Sequence, residues 1–313
     1  MAEPRLLHFG SAVVDFVYRL TRLPKPGDDI IASSFQVSPG GGYNMMVAAR
    51  RSGLSTAYAG LIGDGMAGAV LDKAFREEGI DRLQPPLHGE DSGVCIVLVT
   101  DDAERTFVSR PGAECRLTSA ALSSLATTGD DWFFTSGYTL AYPECRHEQA
   151  RFIASLPAGS PFVFDPTGIV ASIPPPILAQ ALSRADWLSC NRGEAEVIAG
   201  RGSCPEMAAR LLEVHCPMAK GVVIRDGAEG AWLACRGEAP VFVPAFAVRT
   251  VDTNGAGDCH VGAFVAALAT GLAPHQAVCY ANAAAALSTE CRGGATAPTR
   301  QQVDQFLKRA GRK

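Results

Sequence analysis

Charge is scarce in this chain of 313 residues: only 19% is Asp, Glu, Lys or Arg, and 28 basic groups face 32 acidic ones for a formal net charge of −4. A nucleic-acid partner would want a basic face, so none is expected. No apolar run reaches the roughly 18 residues of a membrane span, and no membrane partner is expected either. The opening MAEPRLLHFG lacks the basic start, long apolar stretch and cleavage site of a secretory leader. Ten cysteines are present but no CxxC pair, and the six histidines show no metal-ligand spacing. The cysteines therefore read as small buried residues in a reducing compartment, and His8 and His260 as packed or near-site residues. No GxxxxGK[ST] phosphate loop occurs. The expectation is a globular, cytoplasmic protein with ample chain for a sizeable core.

Short apolar runs alternate with helical patterns along most of the length. STAYAGLIG, DWFFTSG, PFVFDPT, DWLSCN and GVVIRDG are apolar nearly throughout, which suits strands covered on both faces in a mostly parallel sheet. Helical periodicity is expected over Met66–Glu78 (closed by Gly79), His147–Leu156, Cys204–Val214 and Gly257–Thr270 (followed by Gly271). That βαβα rhythm predicts a doubly wound α/β fold. Residues 12–37 and 92–110 break it: AVVDFVYRL, IIASSFQV, GVCIVLVT and RTFVSR are strand-like without intervening helices, and TDDAER reads as a hairpin turn. We expect a large α/β domain formed by residues 1–11, 38–91 and 111–313, and a small β lid formed by 12–37 and 92–110.

One stretch asks for a chemical explanation. In VDTNGAGDCHVGAF (251–264), Gly255, Ala256 and Gly257 run into Asp258 at the mouth of a helix. Unobstructed amides at a helix N-terminus attract anions. An acid there is ordinarily a cap or a dipole partner, but a cap alone does not need three small neighbours. A carboxylate beside an anion hole can take the proton from a hydroxyl that attacks a phosphate, and phosphoryl transfer needs both parts. The Ala- and Gly-rich segment that follows suits close packing of the helix on the sheet.

VDTNGAGDCHVGAF resembles the C-terminal signature of the ribokinase-like, or PfkB-type, carbohydrate kinases, and the likeness extends over roughly residues 5 to 305. The resemblance implies a mostly parallel central sheet flanked by helices with a small β-sheet lid, ATP and Mg²⁺ as cofactors, and Asp258 as catalytic base beside an anion hole of Gly255, Ala256, Gly257 and Asp258 amides. Asn254 stands where many members carry Thr or another small residue.

SPGGGYNMMVAARRSG (38–53) is, bottom-up, a flexible turn with free amides followed by an amide side chain able to bind hydroxyls. It resembles the family's N-terminal signature, which implies substrate binding by Gly40, Gly41 and Asn44; the position five before Asn44 is Pro39, so which glycine touches substrate stays open. Asp15 interrupts an apolar strand and needs a partner or a cleft; the resemblance makes it a sugar-hydroxyl acceptor. Glu114, in RPGAE, is a further substrate contact by resemblance, and Asp165, in FDPTG, a weaker one because the Arg of the related segment is missing.

On the nucleotide side, Asn191 and Glu194 would share a strand's C-terminal edge, where either capping or a place near the ATP phosphates and the Mg²⁺ water shell fits. Arg225 replaces the family's Thr before the retained Gly227, which would make it a charged nucleotide contact. Asn282 lies in the helix the resemblance places beside adenine. Asp252, Thr253 and the 291–295 backbone match a monovalent-cation (K⁺) site found in some members.

GDGMAG (63–68) is a literal GxGxxG between a strand and a helix, the outline of a dinucleotide fingerprint; Gly65 stands where related kinases carry Asp. The buried strand ending in an acid that should follow is not expected, because Asp81 reads as lying outside any strand.

The expected activity is transfer of the γ-phosphate of ATP to a hydroxymethyl group of a sugar or sugar-like acceptor. The alternatives are a nucleoside kinase of the same fold, with Tyr43, Phe107 or Tyr138 stacked on a base, a catalytically silent sugar sensor, and a dinucleotide oxidoreductase. The lid edge suggests a homodimer.

Overall fold

In a computed structural model, residues 3–102 and 104–311 are described; Ala103, within the TDDAER turn, lies outside them. Among the described residues thirteen strands form two sheets. The larger sheet comprises β1 (Arg5–His8), β4 (Ser55–Tyr58), β5 (Asp81–Arg82), β8 (Asp131–Ser136), β9 (Phe162–Asp165), β10 (Trp187–Asn191), β11 (Gly221–Arg225), β12 (Gly230–Cys235) and β13 (Val241–Pro244). Its order is β13-β12-β11-β10-β9-β8-β1-β4-β5. The strands from β5 to β11 are parallel, and β12 and β13 add an antiparallel edge. All five apolar runs become parallel strands, covered on both faces by helices.

The small sheet holds β2 (Ala12–Arg19), β3 (Ser34–Gly41), β6 (Val94–Val99) and β7 (Arg105–Arg110), in the order β3-β2-β6-β7. β6 and β7 pair antiparallel across the expected turn, with Val99 opposite Arg105. The glycine cluster departs from its reading as a flexible turn. Ser38 to Gly41 complete β3 in register with Asp15 to Ala12, and the chain passes directly into the helix Gly42–Arg51.

The helix Met66–Glu78 ends as expected, with Gly79 left-handed at φ 65°. The helix expected at His147–Leu156 spans Arg146–Ser155. Cys204–Arg210 continues into a wider π turn, Leu211–His215. The last of the four is Ala256–Ala269. Asp81 requires a correction: it lies in β5, a two-residue strand parallel to β4 and too short to show as an apolar run. Among the described residues no helix is long and apolar enough to cross a membrane.

One core cluster packs the helices Gly42–Arg51, Ala256–Ala269 and Pro274–Ser288 on one face of the large sheet, and the second fills the opposite face. The parallel strands leave their C-terminal ends on one edge, where His8, Ser136, Asp165, Asn191 and Arg225 end their strands. That edge is where ligands bind in open α/β sheets.

Candidate active site

The helix Ala256–Ala269 starts from Gly255, whose φ of 72° favours glycine. A Cβ on Gly255 would also lie 2.1 Å from the Gly294 carbonyl oxygen. The turn is thus seated on the 289–294 loop, where the amides of Val251 and Asp252 both donate to the Thr289 carbonyl, at 2.7 and 3.0 Å. Small residues further along the helix act differently from the expectation. They let it approach the helix Gly42–Arg51 closely, since a Cβ on Gly262 would lie 2.3 Å from the Met45 carbonyl oxygen. That approach delivers Asn44, whose Nδ2 donates to Asp258 Oδ2 at 3.1 Å. Burial pushes the Asp258 carboxyl up to about 6; the Asn44 hydrogen bond and Arg225 oppose the shift, and Asp165 adds to it.

Asp15 reaches the same place from the lid. Its carboxylate stands where a Cβ on Gly40 would be, 2.2 Å away, so only glycine leaves it room. Burial and then the charge of Asp258 push Asp15 up to about 7. Burial raises both carboxyls, Asp258 adds to the shift of Asp15, and Asp165 adds to that of Asp258, which marks a desolvated cleft. Asn44 Oδ1 is buried without a partner among the described residues, so it can accept a further hydrogen bond.

The strand edge contributes a charged network. Arg225 Nη1 donates to Asp165 Oδ2 at 3.0 Å and to Ser189 Oγ at 2.7 Å, and Nη2 lies 3.6 Å from Glu194 Oε2. The guanidinium also borders the glycine-led turn: a Cβ on Gly257 would be 3.9 Å from Arg225 Nε. Asn191 and Glu194 make a reciprocal capping box, with Glu194 N donating to Asn191 Oδ1 at 2.9 Å and Asn191 N to Glu194 Oε2 at 2.7 Å. Glu194 therefore caps its helix and lies beside Arg225 at once; its carboxyl is raised by burial and by Asp165. Gly227 begins the turn between β11 and β12 at φ 59°.

Three predicted residues are engaged elsewhere. Glu114 is buried and accepts from Gly93 N at 2.9 Å and Gly112 N at 2.8 Å, tying two backbone segments together. Asn282 bridges His260 Nε2 (3.1 Å) and the Val243 carbonyl (2.9 Å). Burial holds His260, and likewise His8, down to about 3, so both are neutral. Tyr43 packs at a tilt against Phe75 in the core rather than facing the cleft.

Asp252 accepts from Asn254 N at 3.0 Å and from Gly293 N at 3.2 Å, and forms an ion pair with Arg105 of the lid. The Thr253 carbonyl accepts from Ala256 N at 3.2 Å. Both Asp252 oxygens thus meet N–H donors and one meets a full positive charge. This donor set does not fit a bound K⁺ ion.

The glycine fingerprint at 63–68 is closed by another acid. Asp91 takes the amides of Ala67 (3.0 Å) and Gly68 (2.8 Å), and a Cβ on Gly65 would be 2.3 Å from its carboxyl carbon. A pyrophosphate would have to displace a resident carboxylate. Neither Asp91 nor Arg105 carries a motif, and local pattern could not have found them.

The pfkB family carbohydrate kinase model matches residues 3–301. A sugar kinase of Escherichia coli, YegV, is 34% identical over 94% of this chain and 91% of its own. Ribokinase of Haemophilus influenzae is 30% identical over 96% and 97%. The Arabidopsis thaliana ribokinase solved with ribose and ATP superposes with a TM-score of 0.82 at 24% identity, covering 98% of this chain and 99% of that one. With its sheet order, its separate small sheet and its glycine-led acid at a helix mouth, the chain belongs to the pfkB family of carbohydrate kinases.

Proposed function

We propose that the protein transfers the γ-phosphate of ATP to a hydroxymethyl group of a sugar or sugar-like acceptor, with fructose, ribose or a sugar acid as the leading candidates. One observation carries this reading: Asp258 stands at the mouth of the helix Ala256–Ala269, oriented by Asn44 and bordered by Arg225. The acceptor lies beside Asp15, Gly40, Gly41 and Asn44, with hydroxyls donating to Asp15 and to the unpartnered Asn44 Oδ1. Glu114 shapes this pocket from behind by clamping Gly93 and Gly112.

Asp258 accepts the proton of the attacking hydroxyl, and the amides of Gly255, Gly257 and Asp258 face the charge that develops on the transferred group, while Ala256 N, held by the Thr253 carbonyl, fixes the turn. Arg225 adds a fixed positive charge there, held in place by Asp165, Ser189 and Glu194. Mg²⁺ is commonly held by phosphates, waters and one or two carboxylates; Glu194 and Asp165 face that position, and the bound ion would neutralise phosphate charge. Asn191 and Gly227 shape the phosphate-side turns, and Asn282 braces β13 on the adenine side. The location is cytoplasmic. Phe35, Val37, Ile96 and Val108 share one face of the lid sheet and are exposed, which supports a lid-to-lid homodimer.

The test is ADP release from ATP·Mg²⁺ across sugars, sugar acids and nucleosides, with Asp258→Asn alongside. Turnover with one acceptor, lost in the variant, is expected. Turnover that survives removes Asp258 as the base. Silence on every acceptor, with sugar binding still visible as a thermal shift, favours a sensor.

A further inference from the structure

The lid face that presents Asp15 carries a second charge. Asp15, Cys95 and Ser109 lie in register across β2, β6 and β7, so Ser109, Phe107 and Arg105 share one face by the two-residue period. Asp15 stands toward Asp258 at one end of that face, and Arg105 ends on Asp252 at the other.

The pair is not an ordinary surface bridge. The Asp252 side chain is only 9% exposed and that of Arg105 22%. Asp252 is also the fastener between two loops, accepting from Asn254 N in the anion-hole turn and from Gly293 N in the loop on which Gly255 is seated. Left unneutralised, this carboxylate, three residues from Gly255, would repel the phosphate that the turn is shaped to receive. With Arg105 on it, the turn keeps its shape and loses the repulsion.

We propose that Arg105 is a positioning residue: a lid-borne guanidinium that acts as a built-in cation on Asp252, orders the 252–257 turn for nucleotide phosphate, and makes the protein independent of monovalent cations. The inference rests on the kinase reading above. Lid position and phosphate binding are thereby linked, because the charge that completes the nucleotide side arrives on the element that covers the acceptor. Arg105 touches no reacting atom; it acts through Asp252.

The test needs no acceptor. ADP·Mg²⁺ binding is followed by titration calorimetry for the full-length protein and for Arg105→Gln and Arg105→Lys, each in K⁺ and in tetramethylammonium, with thermal unfolding confirming that the variants fold. The unmodified protein is expected to bind equally in both salts. Arg105→Gln is expected to bind about tenfold more weakly in tetramethylammonium, the loss expected for a charge-assisted contact. Millimolar K⁺ or guanidinium should restore much of it, a rescue that a merely structural role would not show. Arg105→Lys, which keeps the charge without the fork, should fall between. Binding by Arg105→Gln equal to the unmodified protein, loss without rescue, or K⁺ activation of the unmodified protein would each overturn the proposal. No ADP binding by the unmodified protein would instead defeat the kinase reading, and this inference with it.

Discussion

Two helices in this protein begin with the same local chemistry and end with opposite fates. GDGMAG leads into Met66–Glu78, and NGAGD leads into Ala256–Ala269. At the first, Asp91 arrives from more than twenty residues away and satisfies the amides of Ala67 and Gly68. At the second, Gly255 as N-cap supplies no side-chain cap, and the acid that follows is turned to Asn44 instead. A glycine-led helix start is thus only an offer of positive potential. A distant carboxylate decides whether that potential is taken up inside the protein or left open.

The comparison breaks first at Asp258. Asp258→Asn should lower turnover by roughly 10²–10⁴-fold, the range for a positioned base, while nucleotide affinity measured by calorimetry changes little. Arg225→Met comes next. It should lower kcat/KM for ATP by about 10²-fold, and cost about 3 kcal/mol in urea unfolding because Asp165 and Glu194 lose their shared cation.

The pH profile sharpens the same contrast. Because the base must be ionised, kcat/KM should rise with pH through about 6 and level above it. The same raised value means the native state holds the Asp258 proton more tightly than the unfolded chain, whose value is 3.8. Stability from this group is therefore lost as pH rises from about 4 through about 6. Asp258→Asn should accordingly gain roughly 1–2 kcal/mol over the unmodified protein at pH 8, discounted for the partial solvation of the site. That gain should vanish below about pH 4. A variant less stable than its parent at pH 8 would contradict the desolvated site.

The smallest effect belongs to the first helix. Asp91→Ala should cost about 1–2 kcal/mol of stability, as for loss of a helix cap, and leave KM for ATP within about twofold. A large rise in that KM would mean the two helix starts are not separate in function.

Local chemistry made much of this legible. The five covered strands, the helix at Met66–Glu78 with its closing glycine, and the lid strands follow from apolar runs, period and turn residues. β5 escaped because two residues carry no pattern. The glycine cluster read as a turn is strand, since Gly40 is small for the sake of Asp15 rather than for flexibility. Asn282 and Glu114 are polar residues in suggestive places, and which partners they would take, His260 and two backbone amides, was settled by elements far along the chain.

By itself, then, the sequence determined the alternation of strands and helices, the small sheet and the glycine-led acid at a helix mouth, because each depends on neighbours within a few residues. Tertiary structure alone decided which helix start stays open, which carboxylate Arg225 pairs with, and that Arg105 meets Asp252 across 147 positions. Charges and amides act through space at a few ångströms, and no spacing along the chain records which of them the fold will bring within that reach.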